Sequence, residues 1–187
     1  ELARDIGTEH HRRYRRSRSK RNRHIGAALM HLHSRAVQIA AEAMVLMENG
    51  YAAGALARWR TLHEVACVAL LLDAGGDELA ERYLLHEFVE TRKALLQYQK
   101  CQPLLGHAPI SKREAAEIER NYQALLARFG KPFGEDYGWA AAHLGNDRPG
   151  FAHVEEAAGR AMMRSHYKLA SQNVHAGTKG IASRLGV

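Results

Sequence analysis

Apolar positions along the chain recur mainly at steps of three and four, the period of an α-helix with one face turned inward. Ile25, Leu29, Leu32, Ala36, Ile39, Ala43 and Leu46 form such a seam over about three heptads, and Asn49-Gly50 supplies the left-handed turn that ends it. A second helix is predicted from about Tyr51 to Ala74, stopping at Gly75-Gly76. Its second half, Val65 to Leu72, carries no charge on any side, which predicts a central helix enclosed by others. Asp77 is a plausible N-cap for a third helix running to about Lys100, with Leu84, Leu85, Phe88, Val89, Leu95 and Leu96 inward. Gln102-Pro103 and His107 to Pro109 break that pattern. Ser111-Lys112-Arg113-Glu114 then reads as a capping box opening a fourth helix, with Ala115, Ile118, Tyr122, Leu125 and Phe129 as its seam and Gly130 as its stop.

The stretch Phe133 to Gly150 is glycine-punctuated and leaves room for one short helix around Trp139 to Leu144. Two last helices fit Phe151 to Arg164 and His166 to about Leu185. No alternating β-branched strand and no internal repeat is present. The fold class is therefore all-α, an antiparallel helical bundle of four main helices with additional C-terminal helices. Residues 1–24 read as a basic arm or helix extension, and residues 25–187 as one all-α domain.

Composition agrees with this pattern. With 187 residues, 46% hydrophobic and 25% charged, the chain can bury one core, and no apolar run approaches the roughly 18 to 20 residues of a membrane span. Cys67 and Cys101 are too few for a disulfide framework or a zinc ribbon, which points to a reducing cytoplasm. The start at Glu1 in place of methionine points to part of a longer or processed chain. The formal charge of +7 changes the picture once it is located. Residues 10–24 hold Arg12, Arg13, Arg15, Arg16, Arg18, Lys20, Arg21 and Arg23 and no acid; their +8 against the total of +7 leaves the rest of the chain at −1. Such a segment can contact several phosphates of RNA or another nucleic acid, or remain a solvated first turn. Its single aromatic, Tyr14, offers little for base stacking.

Candidate chemistry gathers at two places. Arg60, His63 and Glu64 lie one to two turns before the apolar run, Arg60 beside both of the others at i+3 and i+4. Charges entering a core need partners, so this patch is a structural ion pair or part of a site. Near the other end, Lys168, Ser171 and His175 line up on a predicted helix, with Tyr167, Ala170 and Val174 as an apolar stripe beside them. An imidazole exchanging protons near neutral pH, beside a cation that stabilises a phosphate, is compatible with metal-free RNA cleavage. The alternative is a satisfied polar contact between packed helices. No glutamate has a histidine three residues later, so a di-iron bundle is excluded, and H-E-V-A-C at His63 to Cys67 offers only two zinc ligands. No metal or other cofactor is implied.

Four segments, R-T-L-H-E at Arg60 to Glu64, E-R-Y-L-L-H at Glu81 to His86, D-Y-G-W-A at Asp136 to Ala140 and Y-K-L-A-S-Q-N-V-H-A at Tyr167 to Ala176, together resemble the bacterial helical family known as domain of unknown function 5677. The resemblance implies one constellation and singles out Arg60, Glu64, Tyr83, Tyr137, Trp139, Ser171 and His175. A further likeness is to HEPN domains, all-α modules of toxin and antiviral (phage-defence) systems. Their ribonuclease motif is an arginine followed four to six residues later by a histidine. His175 matches the histidine, but no arginine stands at that distance; Lys168 is the nearest cation. This likeness implies His175 as general acid or base, Arg60 or Lys168 on phosphate, and Glu64 orienting Arg60. Ser171 completes that set, with Tyr83, Tyr137, Trp139 and Asn173 as substrate contacts. It also implies a homodimer, for which the first-helix seam is available. The competing expectation is a non-catalytic interaction module with a nucleic-acid-binding or acid-binding arm.

Overall fold

The computed structural model describes residues 8–9, 22–175 and 177–182. Arg12, Arg13, Arg15, Arg16, Arg18, Lys20 and Arg21 lie outside them; Arg23 is exposed in the first turn of the first long helix. Every regular element among the described residues is helical. Contacts gather into two compact units, Glu1–Asp77 with Phe151–Val187, and Glu78–Gly150.

The first unit begins with a helical hairpin. Helix α1 (Arg23–Glu48) turns at Asn49 and Gly50, the latter at φ 80°, and α2 (Ala52–Leu85) runs back along it. Three pairs spaced almost evenly about this turn mark an antiparallel register. Gly54 lies against Leu46, where an added Cβ would stand 3.3 Å from its Cδ2; Arg58 donates to Glu42 at 3.1 Å; His24 meets Asp77. Of the α1 seam, Leu46 meets Gly54 in this contact, and Leu32 and Ile39 are buried. The run Val65 to Leu72 is not enclosed all round: Cys67, Leu71 and Leu72 are buried, while Ala66 and Leu70 face outward. A helix with neighbours along one stripe buries only that stripe, whatever its composition.

Asp77 has a different job from the one its position suggests. Its Oδ1 accepts from the backbone N–H groups of His24 and Ile25 at 2.7 and 2.9 Å, so it caps α1 from 52 residues away, while Oδ2 lies 2.9 Å from the His24 ring. Just before it α2 breaks at Gly76 (φ 74°, ψ −164°), a conformation that favours glycine. The C-terminal segments of this unit are shorter than the sequence pattern suggests. Helix α6 (Phe151–Ala157) gives way to Gly159 at φ 67°, a 3₁₀ turn (Ala161–Met163) leads into α7 (Arg164–Gln172), and α8 (Thr178–Ala182) follows.

The second unit contains the end of α2, then α3 (Glu87–Leu105), α4 (Lys112–Phe129) and α5 (Ala141–Leu144). Pro103 does not stop α3, because in a last turn a proline removes only one hydrogen bond; Gly106 at φ 66° ends the helix. Ser111 caps α4, its hydroxyl accepting from the Glu114 N–H at 3.2 Å. Glu81 with Arg128 and Arg92 with Glu119 are again staggered about one turn, so these arms also run antiparallel. Val89, Leu95 and Leu125 are buried as expected, whereas Leu96 is exposed. After α4 the chain makes two 3₁₀ turns, Lys131–Gly134 and Gly138–Ala140. Gly138 has no room for a side chain: a Cβ there would collide with the carbonyl oxygens of Pro132 and Phe133.

Two consequences are measurable. Gly138→Ala displaces backbone in place of a flexible side chain, so it should lower unfolding stability by on the order of 1–3 kcal/mol, read from the urea midpoint. For Asp77, burial alone raises the carboxyl pKa, but hydrogen bonds from the Ile25 N–H and from the His24 ring and N–H outweigh it and hold the group below its ordinary range. A depressed folded pKa stabilises above the unfolded value and loses that contribution as pH falls through the folded one. Asp77→Asn should therefore destabilise at neutral pH, and its stability should converge on wild type as the pH drops below the usual aspartate range.

Candidate functional site

In the first unit, the polar patch of α2 meets α7. Arg60 Nε donates to Ser171 Oγ at 2.9 Å, Nη1 to Glu64 Oε2 at 3.2 Å and Nη2 to the Tyr167 hydroxyl at 2.5 Å. Tyr167 in turn donates to Glu64 Oε1 at 2.6 Å, and Ser171 donates to the Tyr167 carbonyl at 2.9 Å. The guanidinium carbon lies 4.6 Å from the Tyr167 ring centre. Four side chains thus form a closed circuit in which cation, anion, phenol and hydroxyl each have a partner. The helix spacing explains it: Arg60 and Glu64 are one turn apart on α2, and Tyr167 and Ser171 one turn apart on α7.

Beside this circuit lies a more deeply enclosed group. Glu155 on α6 is 1% exposed, and its Oε1 lies 2.7 Å from His63 Nε2. Arg164, at the start of α7, approaches Glu155 Oε2 to 2.5 Å, although off the line of a hydrogen bond, so Oε2 and Arg164 Nη2 are left without one. Trp59 stacks on His63 with ring centres 5.4 Å apart, and Phe151 meets it edge-on. Cys67 Sγ lies 3.6 Å from the same His63 nitrogen that faces Glu155. A nucleophile relay needs the two opposite ring nitrogens, one for the thiol and one for the carboxylate. Burial, then the charge of Glu155, pushes the Cys67 thiol up to about 11. It is a packed thiol, and no group of three or more His, Cys, Asp or Glu side chains among the described residues is arranged to hold a metal ion.

Of the residues proposed from sequence, Arg60, Glu64 and Ser171 come together. Lys168, although on α7, is exposed. His175 is not in line with Ser171, because α7 ends at Gln172; it sits exposed in a bend three residues on, and Asn173 occupies the intervening C-cap. Tyr83, Tyr137 and Trp139 belong to the second unit. There Trp139 is 3% exposed, its ring meets Tyr83 edge-on at 5.1 Å, and its carbonyl accepts from Arg82 Nε at 3.1 Å. A ring enclosed in this way presents no face to a base.

The four motifs therefore sort into two pairs. R-T-L-H-E meets Y-K-L-A-S in the first unit, and E-R-Y-L-L-H meets D-Y-G-W-A in the second. In the latter, His86 Nε2 lies 2.9 Å from the Glu135 carbonyl, and burial lowers the His86 pKa. Lys93 reaches Asp136 at 2.6 Å, and this bond holds the Asp136 carboxyl low. Sequence reasoning passed over Glu155 and Arg164. The signal for Glu155 was available: with Phe151 and Val154 it shares the inward face of α6 at i, i+3 and i+4, an acid on an apolar stripe. Tyr167 was read as apolar, although a buried phenol ordinarily finds a polar partner.

No curated protein and no solved structure matches this chain. A family model does, over residues 26–187, which takes in both motif pairs, α2, α3 and α4 and all but the first three residues of α1. The chain accordingly belongs to the family of unknown function DUF5677.

Proposed function

We propose that the chain is a helical interaction module without catalytic chemistry of its own, in which Arg60, Glu64, Tyr167 and Ser171 clamp α7 onto α2. Residues 10–24 form the contact with an acidic polymer, RNA or another nucleic acid. The observation that carries this reading is the engagement of the Arg60 guanidinium, whose Nε, Nη1 and Nη2 each donate a hydrogen bond inside the protein. A phosphate gripping two of these nitrogens would compete with the carboxylate, the phenol or the hydroxyl already bonded to them. A HEPN-like ribonuclease, the competing reading, needs that guanidinium or Lys168 to face one phosphate together with His175. Lys168 is exposed and His175 stands beyond the helix end, which favours the module. For the arm, the support is the +8 concentrated in fifteen residues, a charge density that neutralises several phosphates without reading bases.

Arg60→Ala should lower unfolding stability by about 1–3 kcal/mol, since it leaves Glu64 and Tyr167 without their donor. His175→Ala should leave the urea midpoint in place, and neither protein should cleave RNA in chelator-treated buffer. RNA cleavage by the wild type that disappears in a stably folded His175→Ala would establish the ribonuclease instead. Replacing Arg15, Arg16, Arg18 and Arg21 by glutamine should weaken RNA binding and flatten the slope of log affinity against log salt by roughly 3, in a filter-binding titration.

A further inference from the structure

In the second unit, the hairpin of α3 and α4 ends in eight residues without a charge, P-L-L-G-H-A-P-I at Pro103 to Ile110. Leu104 is 89% and Leu105 61% exposed, and Pro103, Ala108 and Pro109 are exposed around them. The tip is held in this form. The Tyr98 hydroxyl donates to the Ala108 carbonyl at 2.7 Å, the Gln102 amide donates to the His107 carbonyl, and the Tyr98 and His107 rings stack. The returning loop thus folds back on α3 while both leucines stay uncovered.

Charge is layered behind this tip. Lys100 stands one turn behind Leu104, about 6 Å along the axis. The stagger of Arg92 with Glu119 brings Lys112 and Arg113, in the first turn of α4, to nearly the same level. All three cations are exposed, and none has an ion-pair partner among the described residues. No acid occurs between Glu90 and Glu114, so carboxylates begin only beyond the cations. Lys112 and Arg113 also occupy the helix end where the backbone dipole disfavours a cation, so helix stability is not what places them there.

We infer that this tip dips into an anionic lipid surface, the leucines entering the interface and Lys100, Lys112 and Arg113 meeting the headgroup phosphates. Apolar groups of a surface-bound segment sink roughly 5–10 Å into that interface, the depth of a wedge with its cations one turn behind. Adjacent helical positions point about 100° apart, so Leu104 and Leu105 spread in different directions. A bilayer yields to both, whereas a groove on a folded partner accepts one line of side chains. Two leucines make a reversible contact that crosses nothing, and no helix among the described residues is long and apolar enough to span a membrane. The inference is independent of the role given to residues 10–24.

Co-sedimentation with vesicles tests it. The arm also attracts anionic lipid, so the seven cations from Arg12 to Arg21 are first replaced by glutamine in the full chain. That protein should pellet with vesicles of phosphatidylcholine and phosphatidylglycerol in equal parts, and roughly tenfold less with phosphatidylcholine alone. Adding Leu104→Ser with Leu105→Ser should weaken binding by roughly tenfold or more, and Lys100→Gln, Lys112→Gln or Arg113→Gln by roughly fivefold each. All five positions are exposed, so the melting temperature should hold. Leu104→Trp should add emission that shifts to the blue on the mixed vesicles. An arm-neutralised chain that ignores these vesicles overturns the proposal and leaves the leucines to a groove on a protein. Binding that survives the double leucine change overturns it as well, since charge alone is then responsible.

Discussion

The first unit depends on a buried carboxylate. Glu155 is held almost wholly out of water, and an isolated carboxylate there would be costly by several kcal/mol, so α6 can dock only where His63 and Arg164 are both in place. That single requirement ties three segments together: α2 brings the imidazole, α6 the acid and the start of α7 the guanidinium. With α7 so located, Tyr167 and Ser171 face Arg60 and the outer circuit closes. Polar contacts of this kind contribute little to net stability compared with apolar packing of the same volume. Their effect is selective, because any other register of α7 on α2 would strand a charge.

This arrangement also separates shared direction from shared function. Arg60, Glu64 and Ser171 converge as a catalytic group would, and each is a residue type with chemistry to offer. What distinguishes a clamp from a catalyst is spare capacity. Here each guanidinium nitrogen, both carboxylate oxygens, the phenol and the hydroxyl have a partner within the circuit, while Lys168 and His175 are exposed to solvent. The Cys67 thiol beside His63 is buried, and that burial keeps it protonated well above neutral pH.

Much of this could be read before any coordinates. The 3.6-residue period located α1 and α4 to within a few residues, because glycine and serine at their ends carry conformational and capping preferences that act locally. The Arg60 and Ser171 association was legible too, since a charge entering an apolar helix must be answered somewhere. What the chain did not disclose were features decided at long range. Asp77 has the right spacing to cap its own helix, yet its carboxylate is taken by N–H groups from the start of α1. No glycine or proline stands at Gln172 or Asn173 to announce the end of α7, and that end removes His175 from the stripe that simple periodicity assigned to it. Likewise the uncharged run Val65 to Leu72 could not reveal that neighbours cover only one of its sides.

The first unit is discontinuous, made of residues before Glu78 and after Gly150, with the second unit inserted between them. During vectorial synthesis the α1–α2 hairpin therefore emerges long before Glu155, Arg164 and Tyr167, and for that interval His63 lacks its carboxylate and Arg60 has only Glu64, one turn along the same helix, as a partner. The 73 intervening residues set the contact separation across which these groups must wait, and domain-by-domain assembly from the N-terminus is closed to this fold. The insert has first to leave the ribosome, so the earliest half of the protein is also among the last to be completed.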